Sequence, residues 1–168
     1  MLTFHSATAD DIPLLRSLAE RIWRAAYAGV VSAEQMAYML GWMYAEETLR
    51  SELAEGVCWE LARLDAKAAG YLSITFGAEG VAKLNKLYLL PEHQGRGLGQ
   101  RMIARALALA DGRGAGEVRL QVNKANLRAQ RAYERAGFVR IAEAVFDIGG
   151  GFAMDDYIMA RKNLKPET

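Results

Sequence analysis

The sequence predicts an α+β fold: a central mixed, mostly antiparallel sheet with helices on both faces. Three observations support this fold class. Residues 8–54 carry apolar side chains at helical spacing. Residues 57–91 form short segments rich in β-branched and aromatic residues, separated by Asp and Gly. Residues 98–123 read as a helix followed by a strand, and a strand–helix–strand passage beside an antiparallel meander indicates a mixed sheet.

The N-terminal part is predicted to be one strand followed by two or three helices. Residues 2–7 alternate as a short strand, and Thr8 is the candidate N-cap of the first helix. Ser32 is the candidate cap of a second helix, and a third begins near Ala45. The apolar positions of the first helix are Ile12, Leu15, Leu18, Ile22 and Trp23.

Three antiparallel strands should follow, with turns at Asp65 and at Gly77 to Gly80. After them we predict a helix that stops at Gly112 and Gly114, a strand, and a helix closed by Gly137. The segments in this order are 57–65, 67–80, 81–91, 98–114, 117–123 and 126–137, with closing strands at 138–148 and 155–164 around the turn 149–151. Nothing resembles a linker or a repeat, so residues 1–168 are expected to form one domain.

Composition excludes several classes of function. The formal net charge of +1, from 21 basic and 20 acidic residues, gives no global field for nucleic acid or an anionic membrane. Cys58 is the sole cysteine, and no Cys/His spacing predicts a metal site. The acidic N-terminus is unlike a signal peptide, and no apolar run approaches the ~18 residues of a membrane span. We therefore expect a soluble cytoplasmic protein without a metal.

A glycine-rich loop, "QGRGLG" at residues 94–99, leads directly into the helix that starts near Leu98. Its glycines allow several N–H groups to converge beside the positive end of the helix dipole, which suits a phosphate or pyrophosphate. Arg96 and Arg101 add positive charge. The spacing lacks the dinucleotide fingerprint, and no Lys-Ser/Thr pair of the triphosphatase loop follows. The alternative interpretation is a tight strand-to-helix turn.

These residues resemble the GCN5-related N-acetyltransferases, whose Q/R-x-x-G-x-G/A signature cradles the pyrophosphate of coenzyme A. The resemblance extends to "LYLLPEH", residues 87–93, and to "NLRAQRAYERAGF", residues 126–138, which is similar to the family's N-x-x-A-x-x-x-Y-x-x-x-G-F segment. It implies a single N-acetyltransferase domain over 1–168, acetyl-CoA as co-substrate, and a splay between the fourth and fifth strands that admits the pantetheine arm.

The resemblance also implies residue roles. Main-chain groups of Leu87, Tyr88 and Leu89 would pair with pantetheine, and Asn126 would contact coenzyme A. Tyr133, two helical turns after Asn126, would protonate the departing thiolate. The phosphates would be held by Gln94, Gly95, Arg96, Gly97, Leu98, Gly99 and Gln100. The alternatives are a plain buried strand, a helix N-cap and a core aromatic residue.

The implied chemistry is direct attack of a neutral amine on the acetyl carbonyl. Many members of the family place a glutamate on the fourth strand as the base, whereas this chain offers Lys83, Asn85 and Lys86 there. The base therefore stays open between a water wire and a carboxylate from elsewhere. The candidate carboxylates are Glu79, Glu143, Asp155 and Asp156.

The acceptor site of this fold is usually built by the first helices and the last hairpin. Trp23 and Tyr27 are candidate wall residues, and Asp155 and Asp156 are candidate partners of a cationic amine, although a core role and a solvated hairpin are the alternatives. The ending resembles a bacterial branch that includes polyamine acetyltransferases, so we expect a small-molecule or peptide amine. A non-catalytic acyl-CoA sensor and a protein-interaction module remain alternatives, and a homodimer along the last strands is a further candidate.

Overall fold

The helices and strands follow the predicted order along the chain. The structure is a computed structural model and describes residues 1–162, so the predicted strand residues Asn163 and Leu164 lie outside the described part. The strands are β1 (Leu2–Ser6), β2 (Cys58–Leu64), β3 (Lys67–Phe76), β4 (Val81–Leu89), β5 (Glu117–Asn123), β6 (Val139–Gly149) and β7 (Phe152–Lys162). The helices are α1 (Ile12–Ala26), α2 (Ala33–Met43), α3 (Glu46–Ala54), α4 (Leu98–Gly112) and α5 (Leu127–Arg135).

The strands form one seven-stranded sheet in the order β1-β2-β3-β4-β5-β7-β6. The β1–β2, β5–β7 and β6–β7 pairs are antiparallel, whereas β4 and β5 are parallel. The parallel pair follows from α4, because a crossover helix is what returns the chain to the same end of a sheet. The β4–β5 ladder runs from Val81 opposite Glu117 to Leu84 opposite Leu120, and each strand continues beyond it. The predicted mixed sheet is confirmed.

The chain divides into two compact units, each with its own apolar core. The first contains residues 1–73 and 86–99, and the second contains residues 74–85 and the chain from Gln100 onward. Fully buried side chains of the first unit are Leu15, Ile22, Trp23, Met39, Leu49, Trp59, Tyr71 and Leu72. Those of the second unit include Ala82, Met102, Ile103, Ala106, Val118, Phe138 and Met159.

Of the two predicted helix N-caps, Ser32 caps its helix and Thr8 does not. Ser32 accepts a hydrogen bond at Oγ from the Gln35 N–H at 3.1 Å, which confirms it as a cap. Thr8 instead caps a short 3₁₀ turn, where its own N–H donates to the Asp11 carboxylate at 2.8 Å. The helix α1 begins only after this turn, with Pro13 in its first turn, a position where a missing N–H costs nothing.

The last hairpin turns at Gly149 to Gly151, and all three glycines have positive φ, as a tight connection between antiparallel strands requires. The strand β7 begins at Phe152, three residues earlier than predicted. Because β6 is the outermost strand, its free side is an edge of the sheet.

Within residues 1–162, no helix combines the length and the apolar character needed to cross a membrane. The same residues contain no group of three His, Cys, Asp or Glu side chains suited to a metal ion. Cys58 is half-buried and forms no disulfide within these residues.

Candidate functional site

The glycine loop before α4 has the backbone conformation that the sequence predicts at two of its three glycines. Gly95 and Gly97 have φ of 79° and 76°, in the left-handed region that side chains disfavour. Gly99 differs, because it already lies in the first turn of α4 and needs no special φ. A Cβ built on Gly97 or Gly99 would meet no protein atom within 4 Å. At these two positions the missing side chains therefore leave open space beside the main chain.

The loop also contains main-chain donors that are not used within the described chain. Among residues 1–162, no protein acceptor bonds the N–H groups of Gly95 and Gly97. The first N–H groups of α4 likewise have no partner inside their own helix. Together with the helix dipole, these donors form an anion site of the kind that binds phosphate.

Side chains at both ends of the loop fix its position. In the first unit, Gln94 donates from Nε2 to the carbonyl oxygen of Leu89 at 3.3 Å. In the second unit, Gln100 donates from Nε2 to the carbonyl oxygen of Ala132 at 2.9 Å. Leu98 is buried, whereas Arg96 is exposed. The predicted loop residues therefore divide into two glutamine anchors, one apolar anchor and one exposed cation.

The end of β4 is pressed closely against β3. An ideal Cβ on Gly70 would overlap the carbonyl oxygen of Tyr88 and would lie 3.1 Å from the Cα of Leu89. The N–H of Leu90 then donates to Ala69 at 2.8 Å. A glycine is required on β3 so that these predicted cofactor-contacting residues can take their place.

Trp23 and Tyr27 belong to a buried aromatic cluster of the first unit. Trp23 donates from Nε1 to the Tyr44 hydroxyl at 3.0 Å, and the hydroxyls of Tyr44 and Tyr71 lie 2.7 Å apart. The Tyr27 hydroxyl lies 3.0 Å from that of Tyr88 on β4. Burial raises the pKa of Tyr44 and of Tyr71, so both phenols stay neutral. Tyr27 therefore links this cluster to β4 through a partly buried contact between its hydroxyl and that of Tyr88.

Lys86 lies on β4, as the sequence predicts, and is a buried cation. Its ammonium lies 5.6 Å from the ring centre of Tyr44 and 5.2 Å from that of Trp59. Asn85 donates from Nδ2 to Thr75 at 3.3 Å, and Lys83 is exposed. None of the three β4 side chains is a carboxylate able to act as the base.

In the second unit, Asn126 and Tyr133 mark the two ends of α5. Asn126 is the N-cap, and its Oδ1 accepts from the Ala129 N–H at 3.2 Å. Tyr133 is 9% exposed, and its ring lies edge-on to Phe138 at 5.6 Å. The structure therefore gives Asn126 a capping role and Tyr133 a packing role, whatever further role each has.

Gln130 is a residue that sequence reasoning missed. It is 2% exposed, and its Nε2 donates to the carbonyl oxygens of Asn123 at 3.0 Å and Lys124 at 2.8 Å. Its Oε1 accepts from Arg140 at 2.9 Å. These bonds fix the connection between β5 and α5, and hence Asn126. The sequence feature that could have revealed this role is a glutamine on the apolar side of the short amphipathic helix α5.

The four candidate carboxylates differ sharply in their surroundings. Asp155 and Glu143 both face the Lys124 ammonium, at 2.9 Å and 3.4 Å. Glu79 lies in an exposed turn with φ of 67°. Asp156 is 4% exposed, and its Oδ1 is buried without a hydrogen-bond partner in the described chain.

Burial also changes the acidity of Asp156. Desolvation, followed by the negative charge of Asp155, raises the pKa of this carboxyl to about 6. A carboxylate of that pKa is mostly ionised at neutral pH but gains a proton readily. Its basicity is therefore suited to accept a proton near neutrality.

Comparisons with known proteins agree with this geometry. Residues 16–138 match the family model described as the acetyltransferase (GNAT) family. The chain is 38% identical over 101 residues to an uncharacterised N-acetyltransferase of Mycobacterium bovis, covering 60% of this chain and 64% of that protein. It therefore spans less than two thirds of that relative.

Two further comparisons cover nearly the whole chain. A spermidine N(1)-acetyltransferase of Thermoplasma acidophilum is 27% identical over 158 residues, which is 91% of this chain and 92% of that protein. The crystal structure of PaiA N-acetyltransferase from the same organism, in complex with coenzyme A, aligns with a TM-score of 0.81 at 24% identity over 97% of this chain and 99% of that one. This last likeness shows the fold. With the family model matching most of its length, the chain belongs to the acetyltransferase (GNAT) family.

Proposed function

We propose that residues 1–168 form a single N-acetyltransferase domain that transfers an acetyl group from acetyl-CoA to a primary amine. The observation that carries the proposal is the pair of N–H groups of Gly95 and Gly97, which have no acceptor within residues 1–162 and lie just before the N-terminus of α4. A diphosphate supplies the negative oxygens that such donors need. Membership of the family supports the same conclusion.

The residues that would contact the rest of the cofactor follow from the chemical groups that each part of coenzyme A offers. We propose that the backbone of β4 at Leu87 to Leu89 pairs with the amides of pantetheine, because the β4–β5 ladder ends at Leu84 and β4 continues beyond it to Leu89. Asn126 keeps its cap through Oδ1, which leaves its amide N–H groups as donors to coenzyme A. Tyr133 is proposed as the acid that protonates the thiolate.

In the proposed reaction a neutral amine attacks the acetyl carbon. The C–N bond forms, the C–S bond breaks, and the thiolate receives a proton from the Tyr133 phenol, which regains one from the acylated nitrogen. Holding both reactants in one place supplies much of the rate, since it replaces a bimolecular encounter. No metal takes part in this scheme.

For the acceptor, a polyamine draws support from the relative named spermidine N(1)-acetyltransferase. Trp23 is buried, so we propose that it supports the acceptor wall from behind, and that Tyr27 contributes through its hydroxyl pair with Tyr88. Asp155 is paired with Lys124 and serves at most as a distant charge. Because acetyl-CoA is an intracellular metabolite, the proposal also places the protein in the cytoplasm.

Thermal melting with acetyl-CoA, combined with thiol release in the presence of amines, tests the proposal. A ligand at about one hundred times its dissociation constant that binds only the folded state adds about 2.7 kcal/mol of stability. A raised melting temperature with thiol release supports the proposed enzyme. Stabilisation without release for any amine favours an acyl-CoA sensor, and no stabilisation at all favours a protein-interaction module.

The free edge of β6 supports a homodimer as part of the proposal. Val139, Ile141 and Val145 of this strand are 60%, 48% and 69% exposed. Antiparallel pairing of two copies, centred between residues 143 and 144, would set Arg140 opposite Asp147 of the partner subunit, so the strand is complementary to itself in charge. Sedimentation should show a dimer that Val145→Lys weakens, and a monomeric wild-type protein contradicts this.

A further inference from the structure

Asp156 occupies an unusual place in the second unit. It lies in the middle of β7, opposite Asn123 of β5 on one side and Ala144 of β6 on the other. Side chains two residues away on a strand share a face, so Met154 and Ile158 flank it along β7. The carboxyl group therefore shares its face with two amides of β5, Asn123 and Gln121, and with small and apolar side chains of β6 and β7.

No group of the described chain neutralises this carboxylate. Arg119 lies on the same face of β5, opposite Ala160, but it is paired with Glu117. Lys124 bonds Asp155 and Glu143 instead. By strand alternation these three residues and Tyr157 project from the opposite face of the sheet. The side-chain Oδ1 of Asn123 already accepts a hydrogen bond from the Ala125 N–H at 2.9 Å. Within residues 1–162, the buried Oδ1 of this carboxylate has no hydrogen-bond partner, and the carboxylate forms no ion pair.

A buried carboxylate without a partner is costly to the folded state. Nothing in the packing of β5, β6 and β7 requires it, since Asn would fill the same volume without a charge. A cation from outside the protein would satisfy it, and the burial of the carboxylate would strengthen that attraction. The location also fits the reaction, because Asn123 ends β5 three residues before Asn126.

We propose that Asp156 binds the ammonium group of the acceptor and takes its proton, so that the substrates are cationic alkylamines. The inference rests on the proposed acetyl transfer and supplies its missing base. In the first step R–NH₃⁺ gives one proton to the Asp156 carboxylate, leaving R–NH₂ and a neutral carboxyl group. After C–N bond formation and C–S bond cleavage, a second nitrogen proton goes to the thiolate by way of Tyr133. The proton on Asp156 then passes to water.

The experiment compares wild type, Asp156→Asn, Asp156→Glu and the neighbouring control Asp155→Asn. Initial rates with acetyl-CoA are measured across pH for spermidine, putrescine and a peptide with an N-terminal alanine. We expect wild-type kcat/KM to fall below pH about 6, in line with the raised pKa of the carboxyl group. Asp156→Asn should lower kcat/KM at neutral pH by about 100-fold or more, the usual contribution of a general base.

The pH profile separates a base from a merely structural residue. Asp156→Asn should lose the acidic limb, and its activity should climb about tenfold per pH unit toward the pKa of the amine, because only amine already deprotonated by solvent can react. Asp156→Glu should restore part of the rate. Asp155→Asn should keep an acidic limb but move it to lower pH, because the charge of Asp155 contributes to the raised pKa of Asp156. Stabilisation by acetyl-CoA should be the same in all four proteins.

Two outcomes overturn the inference while leaving the proposed acetyl transfer intact. One is an Asp156→Asn enzyme that keeps its rate and its acidic limb, and the other is a wild type that acetylates only amines that are neutral at the assay pH. Wild-type protein that acetylates none of the three amines but is stabilised by acetyl-CoA also contradicts the inference. Failure of acetyl-CoA to stabilise wild type is a different result, since it removes the proposed function itself.

Discussion

Replacement of Gly99 by Ala separates the stability of the protein from its affinity for the cofactor. Gly99 lies in the first turn of α4 at an ordinary helical φ, and an added Cβ would meet no protein atom within 4 Å. Ala is favoured over Gly inside a helix by about 1 kcal/mol, so the unliganded protein should become slightly more stable, by roughly half that value this near the helix end.

Cofactor binding should change in the opposite direction. If a diphosphate lies against this turn, the new methyl group takes the space of a phosphate oxygen and displaces at least one charge-assisted hydrogen bond. Such a bond contributes about 1.5–3 kcal/mol, which corresponds to a loss of roughly 10- to 100-fold in affinity. Isothermal titration with coenzyme A measures the affinity, and urea unfolding measures the stability.

The matched control is Gly112→Ala at the other end of the same helix. Gly112 also has no positive φ and no protein atom within 4 Å of its added Cβ. It should gain similar stability and keep the wild-type affinity. Equal affinity of Gly99→Ala and wild type for coenzyme A would refute the placement of the phosphates at this turn, whatever the stability data show.

Three further predictions concern β3, α5 and β7. Gly70→Ala should destabilise the protein by about 1–3 kcal/mol, because its Cβ overlaps the backbone of Tyr88, and an unchanged urea midpoint would contradict the close approach. Tyr133→Phe should lower kcat by about 100-fold while the ring keeps its packing on Phe138, and unchanged turnover would remove the phenol from the mechanism. Asp156→Asn should raise the free energy of unfolding by up to about 3 kcal/mol above pH 6, since the pKa rises from 3.8 to about 6 and each unit corresponds to about 1.4 kcal/mol. Because the raised pKa belongs to the folded state, the wild type loses this stability as pH rises from 3.8 to 6, and the two proteins should unfold alike at pH below 3.8.

The fold was predicted mainly from local sequence patterns such as helix caps and helix-ending glycines. Ser32 was identifiable as a cap because its hydroxyl acts on an N–H three residues later, and Gly137 because helices commonly end in a left-handed residue. The start of α1 was misplaced for a local reason too. Thr8 carries a good capping pattern, but the capped segment is a 3₁₀ turn, and the pattern does not distinguish the two.

The sequence predicts those features of the site that depend on local backbone conformation, and it does not predict those that depend on strand pairing. The conformations of Gly95 and Gly97 follow from composition, since no other residue adopts a positive φ as readily. The lack of a hydrogen-bond partner for the Asp156 Oδ1 does not follow from composition, because it depends on which residues of β5 and β6 lie opposite Asp156. Asp155 and Asp156 are adjacent residues of the same type, but strand alternation points them to opposite faces of the sheet. Asp155 therefore pairs with Lys124, whereas Asp156 does not.

A crystal grown with coenzyme A tests the central claim most directly. The account predicts that oxygens of the diphosphate lie within hydrogen-bond distance of the N–H groups of Gly95 and Gly97, at the N-terminus of α4. Coenzyme A bound with its diphosphate elsewhere, and this loop empty, would contradict the account.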